Sequence, residues 1–397
     1  MPLADPARAP ILLLVMLSTV LPVALNMYIP ALANMRDDLG TTDVTIQLTL
    51  SLFLAASAVG QLIAGPLSDI YGRRPTLIGG LSLFLFGTGI AVLAPNIEWL
   101  LVGRTLQGLG ACVGLVIPRA IVRDIHGTAR AASMIGYLTM GMAVAPLVSP
   151  FIGGVLYEVA SWRALFVAMG TLGAVGLTLC IVRLGETHTV ATGPGVFARW
   201  GREMVVLSRL PAFWSYALTL GALNIAFFSF LAAGTFVAQA VFSLSAASFG
   251  AYFAFIVTGY LIGNFVTGRY GAKIGIVPMI RLGNTIALSG ILAASALALW
   301  GATHPLSLFV PVMVMGVGNG FALPNCVAGC VSVRPDLAGT ASGLAGALQT
   351  GSGALSAVAV GALVQADWLP GLFPMLVPMI LGASAALCLA FTLKPPP

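Results

Sequence analysis

The stretch GPLSDIYGRRPTL, residues 65–77, sets one acid, two arginines, two glycines and two prolines between apolar runs. Those runs, 45–66 and 76–95, are each close to the roughly 20 residues that a helix needs to cross a bilayer core of about 30 Å. The charged stretch therefore reads as a tight turn between two membrane spans, not as the surface loop of a globule. Composition demands the same. With 59% hydrophobic and 8% charged residues, the chain cannot cover a water-soluble surface with polar groups.

Working outward from this turn, runs of spanning length recur at 11–33, 45–66, 76–95, 99–121, 131–156, 163–183, 213–239, 249–268, 279–300, 306–331, 340–364 and 371–393. Glycines and prolines inside them are no objection, because neighbouring helices satisfy the freed backbone groups. The first run is longer than the apolar core of a secretory leader and reads as a span. Alternating sides from a cytoplasmic N-terminus leaves fifteen of the eighteen Lys and Arg inside. Only Arg36 and Arg163 fall outside, and Arg104 lies within the fourth span. The positive-inside rule then places both termini in the cytoplasm. Trp99, Trp162, Trp300 and Trp368 fall at outer ends, as an interfacial belt requires.

The polar segment Arg183 to Pro211 divides the spans six and six, giving expected units at 1–183 and 213–397 with a cytoplasmic linker at 184–212. IYGRRPTLIGG after the second span is weakly repeated by RYGAKIGIVPM after the eighth, and ARAASMIG by GTASGLAG. The expected fold is an all-α membrane protein of twelve transmembrane helices in two pseudo-symmetric six-helix bundles. Such repeats build secondary transporters with a site near the midplane.

Several classes are excluded. The net charge of +6 is scattered singly between apolar runs, so no nucleic-acid partner is expected. Five cysteines form no C-x-x-C and have no accompanying His or acid, so neither a metal nor a disulfide framework is expected. The spans hold no nucleophile-base set, so neither enzyme activity nor a cofactor is expected.

Gly65, Leu67, Asp69, Gly72, Arg73, Arg74 and Leu77 match the G-x-L-x-D-x-x-G-R-R/K-x-x-L signature, and the chain therefore resembles the major facilitator superfamily. The glycines permit a tight turn and close helix approach. Asp69 is expected to face the N-terminal end of a neighbouring helix, and Arg73 to reach Asp124. Ile70 departs from the Arg common there. The resemblance implies a cytoplasmic latch formed by Gly65, Asp69, Gly72, Arg73, Arg74 and Asp124. Residues 103–126 and 324–355 resemble the bicyclomycin and chloramphenicol resistance branch of drug:proton antiporters. SPFIGG in the fifth span resembles the antiporter pattern G-P-x-x-G-G; Pro150, Gly153 and Gly154 there read either as a specific device or as ordinary small-residue packing.

Asn26 in the first span and Arg104 in the fourth lie at one depth, roughly 8 Å below the outer surface, at 1.5 Å per helical residue. An arginine there costs at least about 2.5 kcal/mol unless it finds partners or water, so it marks a functional site unless it snorkels outward. Family members resembling this chain carry a proton-bearing carboxylate where NMYIP has Asn26. Asn cannot titrate, and no acid or histidine lies inside any expected span. Three readings stay open: transport without protons, a rim acid such as Glu98 or Asp37, or an Asp replaced by Asn26. Around a central cavity, Asn224, Asn319 and Gln349 are candidate polar lining, with Tyr28, Tyr137, Phe227 and Phe228 as aromatic surface.

The expected function is efflux of small neutral or weakly anionic amphipaths by a monomer in a bacterial inner membrane, with protons as partners in an acid-bearing form. The alternative is a proton-independent facilitator or exporter of one metabolite or siderophore-like compound.

Overall fold

In a computed structural model the described residues are 11–187, 196–365 and 369–395, and nearly all of them are helical. Among the described residues eleven helices are long and apolar enough to cross a membrane. They are span 1 (Ile11–Asp38), span 2 (Asp43–Tyr71), span 3 (Arg73–Leu93), span 4 (Ile97–Ile125), span 6 (Trp162–Arg183), span 7 (Pro211–Phe242), span 8 (Ala246–Gly271), span 9 (Ile276–Leu299), span 10 (Leu306–Ser332), span 11 (Ala338–Val364) and span 12 (Phe373–Thr392). The place of span 5 is held by a shorter apolar helix, Val144–Val159.

Spans 4 and 5 belong to one helical run of 63 residues, Ile97–Val159. It cannot be straight. Arg104 bonds Ala24, while Gly153 abuts Met27 only three residues along span 1. A straight helix would hold residues 104 and 153 about 74 Å apart. The run therefore doubles back between them and returns to the outer side.

Span 1 is not the continuous helix expected over 11–33. Its first helix stops at Asn26, a 3-10 turn covers Ile29–Ala31, and a second helix runs over Leu32–Asp38. Pro30 is the cause: it has no N–H to offer the carbonyl of Asn26, and its ring crowds that carbonyl.

The two outer arginines that depart from the positive-inside pattern are both occupied. Arg36 pairs with Asp37 at 2.8 Å and Asp43 at 2.7 Å. Arg163 donates to the Ala94 carbonyl at 2.9 Å and lies 4.2 Å over the Trp162 ring.

Spans 1–6 pack mainly on one another, as do spans 7–12, and the two sets meet where span 2 lies on span 11 and span 5 on span 8. The outer end of this seam is shut. Thr235 donates to the Ile29 carbonyl (2.9 Å), Glu158 accepts from the Ala247 N–H (3.0 Å), and Gly154 and Gly250 abut Ala246 and Pro150. Spans 2 and 11 touch from Gln47 against Gly361 to Gln61 against Gly346, where Gln61 donates to Thr350 at 3.0 Å. Beyond that point Gly65 and Gly343 face open space. The close approach expected at Gly65 is absent because the two spans have begun to part there.

The halves repeat one plan of contacts. A Cβ on Gly87 would strike the Gly103 carbonyl and Gln107 N, and one on Gly290 would strike the Pro311 carbonyl and Met315 N. Gly110 meets Phe84 N as Gly318 meets Ala287 N, and Gly108 meets the Phe53 carbonyl as Gly316 meets that of Ile256. The turn before span 3 is made by Gly72 (φ 96°, ψ 159°), and the turn before span 9 by Gly275 (φ 93°, ψ 160°). Each begins Gly-x-x-Pro. The repeat thus runs four residues later than the match of Tyr71-Gly72 to Tyr270-Gly271 indicates. Only glycine holds that backbone without strain.

The segment between the halves carries its own helix, Val196–Ser208, which touches spans 2 and 11. Its Glu203 accepts from the Thr340 hydroxyl at 2.5 Å.

Two glycines of span 3 separate packing from propensity. Gly87→Leu is expected to destabilise by about 3 kcal/mol or more through overpacking, whereas Gly89→Leu, which meets nothing within 4 Å, leaves stability unchanged. Thermal unfolding of the two variants in detergent checks this.

Candidate functional site

The broken turn of span 1 sits beside Arg104. A helix that stops at Asn26 leaves carbonyls without their usual donors; Arg104 takes up one of them, and Thr235 adds a second donor to the Ile29 carbonyl, which the Leu32 N–H already serves in the 3-10 turn. Arg104 Nη1 donates to the Ala24 carbonyl (3.0 Å), and Thr235 donates to that of Ile29. Arg104 Nε donates to the Thr49 carbonyl (3.3 Å), and Nη1 also to Gln107 Oε1 (3.0 Å). Gln107 Nε2 in turn donates to Thr88 Oγ1 at 2.8 Å.

The faces of the guanidinium are covered as well as its edges. Its carbon lies 4.1 Å from the centre of the Tyr28 ring and 4.1 Å from that of Phe53, with Phe166 at 5.9 Å. Arg104 is 0% exposed, as are Tyr28, Phe53, Phe166 and Gln107. A desolvated cation–π contact contributes about 2 kcal/mol, and two of them offset much of the cost of burial. Arg104 does not reach for headgroups; it closes the interior of spans 1, 2, 4 and 6.

Asn26 is buried two residues from Tyr28. Its Nδ2 donates to the Pro22 carbonyl at 2.8 Å, which leaves Oδ1 as a free acceptor. Arg104 Nη2 and the Tyr28 hydroxyl also lack a protein partner. The cluster thus holds two donors and one acceptor to spare, around a cation with no carboxylate among the described ion pairs. Asn26 and Arg104 stand at the same turn, as their depths indicate, without bonding each other directly.

The other candidates disperse. Asn224 accepts from Gln349 Nε2 at 3.3 Å, joining spans 7 and 11. Phe228 packs over Gly353 and meets Phe227 edge-on at 5.5 Å. Asn319 is buried in span 10 with Oδ1 unpartnered. The side chain of Tyr137 lies outside the described residues. In span 5, Gly153 lets the Met27 carbonyl approach, Gly154 lets Ala246 approach, and the Pro150 carbonyl rests on Gly250.

At the cytoplasmic turn Arg73 is 3% exposed and bridges two acids. Its Nε donates to Asp124 Oδ2 (2.9 Å) and its Nη1 to Asp69 Oδ1 and Ser68 Oγ (2.5 Å each). Asp69 is held by Arg73, and no bond from it to a neighbouring helix end is seen among the described residues. At the start of span 3 the carboxylate of Glu186 accepts from the N–H groups of Arg73 (2.9 Å) and Arg74 (3.1 Å). A carboxylate there is favoured by the helix dipole. Arg74 Nη2 caps the Ile181 carbonyl of span 6 at 2.9 Å.

Glu186, Phe53 and Gln107 were not singled out in the sequence. Gln107 carried a usable signal, since it follows Arg104 by three residues and shares its helix face. Glu186 and Phe53 carried none, because their partners are distant in the chain.

Because the guanidinium is held through Nε and Nη1 and on both faces, Arg104→Lys is expected to fail almost as badly as Arg104→Ala. An ammonium cannot reach three acceptors in one plane or stack between rings. Each variant is expected to lose about 3 kcal/mol or more, since the carbonyls of Ala24 and Thr49 lose their donor in a buried site. Thermal unfolding checks this; a lysine variant as stable as the parent would contradict it.

Residues 14–357 match the family model described as Major Facilitator Superfamily. The chain is 30% identical to Multidrug resistance protein D of Escherichia coli, over 88% of this chain and 87% of that one. It is 31% identical to a chloramphenicol resistance protein of Pseudomonas aeruginosa, over 83% and 76%. Among solved structures it resembles a peptide transporter, POT, in complex with sulfate, with a TM-score of 0.76, 15% identity, and 97% and 93% coverage. Two six-span sets in that fold and a family match across most of the length give one result: the chain is a multi-pass membrane protein that belongs to the major facilitator superfamily of secondary transporters.

Proposed function

We propose that the chain exports small neutral or weakly anionic amphipaths, drugs among them, from a bacterial cytoplasm by alternating access, as a member of the bicyclomycin and chloramphenicol resistance branch. Support for the substrate class comes from relatives named for multidrug and chloramphenicol resistance. Alternating access is supported by one observation above the others: the seam between the halves is shut at its outer end and parts at Gly65 and Gly343.

Coupling to protons turns on Asn26. A carboxylate at that position would sit beside the Arg104–Tyr28 pair, with burial raising its pKa and the cation lowering it, and would exchange a proton each cycle. The amide has no proton to exchange and leaves the cation uncompensated. Among the described residues, acids of the spans stand only at helix ends: Asp37, Asp38, Asp43, Asp69, Glu98, Asp124 and Glu158. In this reading the present sequence carries its substrate without a proton at the span 1 site.

Chloramphenicol flux in proteoliposomes, with and without a pH gradient, tests the reading. The present chain is expected to equilibrate the drug at a rate the gradient does not alter. Asn26→Asp is expected to accumulate it, by up to about tenfold per coupled proton for each pH unit, since one unit is worth about 1.4 kcal/mol. Equal, gradient-driven accumulation by both forms would refute the role given to Asn26; no flux from either would refute export.

A further inference from the structure

The closed stretch of the seam ends, on its cytoplasmic side, at two glutamines whose amide groups are half used. Gln61 of span 2 donates through Nε2 to Thr350 Oγ1 (3.0 Å), and the Thr350 hydroxyl gives its own hydrogen to the Gly346 carbonyl (2.9 Å). Gln349 of span 11 donates through Nε2 to Asn224 Oδ1 (3.3 Å), and Asn224 Nδ2 is bound to the Leu220 carbonyl (2.7 Å). In each pair the partner has only an acceptor left to offer. The nitrogen is thereby fixed, and the oxygen is turned away from the bond.

Neither oxygen has a donor among the described residues, and neither is sealed from solvent as the oxygens of Asn26 and Asn319 are. Gln61, Gln349 and Asn224 lie about 15, 17 and 20 Å along their helices from the inner ends at Tyr71, Ala338 and Pro211. That is near the middle of a core about 30 Å thick. One turn further in, Gly65 and Gly343 face open space, so the amides stand where the open part of the seam begins. One turn further out, Phe228 packs on Gly353, so an apolar ring follows the amides. None of these groups is charged. Bare amide oxygens call for donors and offer nothing to an anion.

We infer that the side-chain oxygens of Gln61 and Gln349, one from each half of the protein, receive the hydroxyl or amide N–H donors of a neutral substrate. Thr350 and Asn224 position the two amides for this. Arg104 stays sealed within the first half. These contacts rest on the export proposed above and narrow its substrates to uncharged amphipaths that carry such donors. A site built on acceptors rejects an analogue that lacks the donor, because the acceptor gives up water and gains no partner.

The test is equilibrium dialysis of the full chain in lipid nanodiscs with two radiolabelled probes, thiamphenicol and florfenicol, which differ only in that one hydroxyl of the first is fluorine in the second. Fluorine keeps the bulk of the molecule and removes the donor. The parent chain is expected to bind thiamphenicol about fivefold or more tightly, the usual effect of one neutral hydrogen bond. In Gln61→Met/Gln349→Met, which removes both oxygens at nearly unchanged side-chain length, this preference is expected to fall below about twofold. Each single variant is expected to lie between. The inference is overturned if the parent binds neither probe or binds the two within about twofold of each other, since no donor is then being read. It is overturned equally if the double variant keeps the preference, or if the single variants weaken both probes alike and leave the preference intact. Chloramphenicol flux by the parent separates the two readings. Flux that persists while the preference is missing removes the donor contact alone, and its absence alongside a preference that the double variant loses removes export alone.

Discussion

The first half of this protein is organised around one buried guanidinium. Arg104 can be dehydrated only because span 1 breaks at Asn26 and exposes a carbonyl for it to bond, and because Tyr28 and Phe53 stack on its two faces. The break is supported from outside the helix, by Arg104 of span 4 at the Ala24 carbonyl and by Thr235 of span 7, which joins the Leu32 N–H at that of Ile29. Each feature would be expensive alone. A helix interrupted within the bilayer leaves polar backbone in apolar surroundings, and an unpartnered arginine is costlier still. Together they satisfy each other and tie spans 1, 2 and 4 into one unit, with the second half fastened to the same turn.

The repeat shows what this arrangement is worth by what replaces it. Gly103 and Gln107 correspond to Pro311 and Met315, so the place of Arg104 falls to Val312. The place of Thr49, whose carbonyl serves the arginine, falls to Tyr252, which stacks on Phe309 with ring centres 4.9 Å apart. Phe230, Phe249 and Phe253 complete an aromatic cluster there. One backbone plan thus carries a charged, hydrogen-bonded core in one half and a dry aromatic core in the other. The glycine contacts are shared because helices can approach to backbone distance only where both lack bulk. The cores differ because nothing in that backbone demands charge.

Much of the fold was legible because the signals are local. A span is a matter of apolar length, orientation a matter of where Arg and Lys interrupt it, and depth a matter of a fixed rise per residue. Those three placed the spans and put Asn26 level with Arg104. Depth, however, is one coordinate out of three. Which way a side chain faces depends on neighbours far along the chain, so Phe53 beside Arg104 and Glu186 at the start of span 3 could not be read. The interruption of span 1 had a visible cause in Pro30, whose weight was discounted because prolines are tolerated in membrane helices. The turn repeat was aligned on Tyr-Gly when the conformation that matters belongs to Gly-x-x-Pro.

Gln47 stands at the outer end of the seam, 1% exposed against Gly361, with neither its amide nitrogen nor its oxygen bonded to protein. Enclosing an amide with neither end satisfied forfeits about 1–3 kcal/mol. On the alternating-access reading proposed above, parting of the outer end rehydrates that one side chain and returns this energy. A carrier that must visit both faces of a membrane gains from such a loaded hinge, since a door that latches too well stays shut.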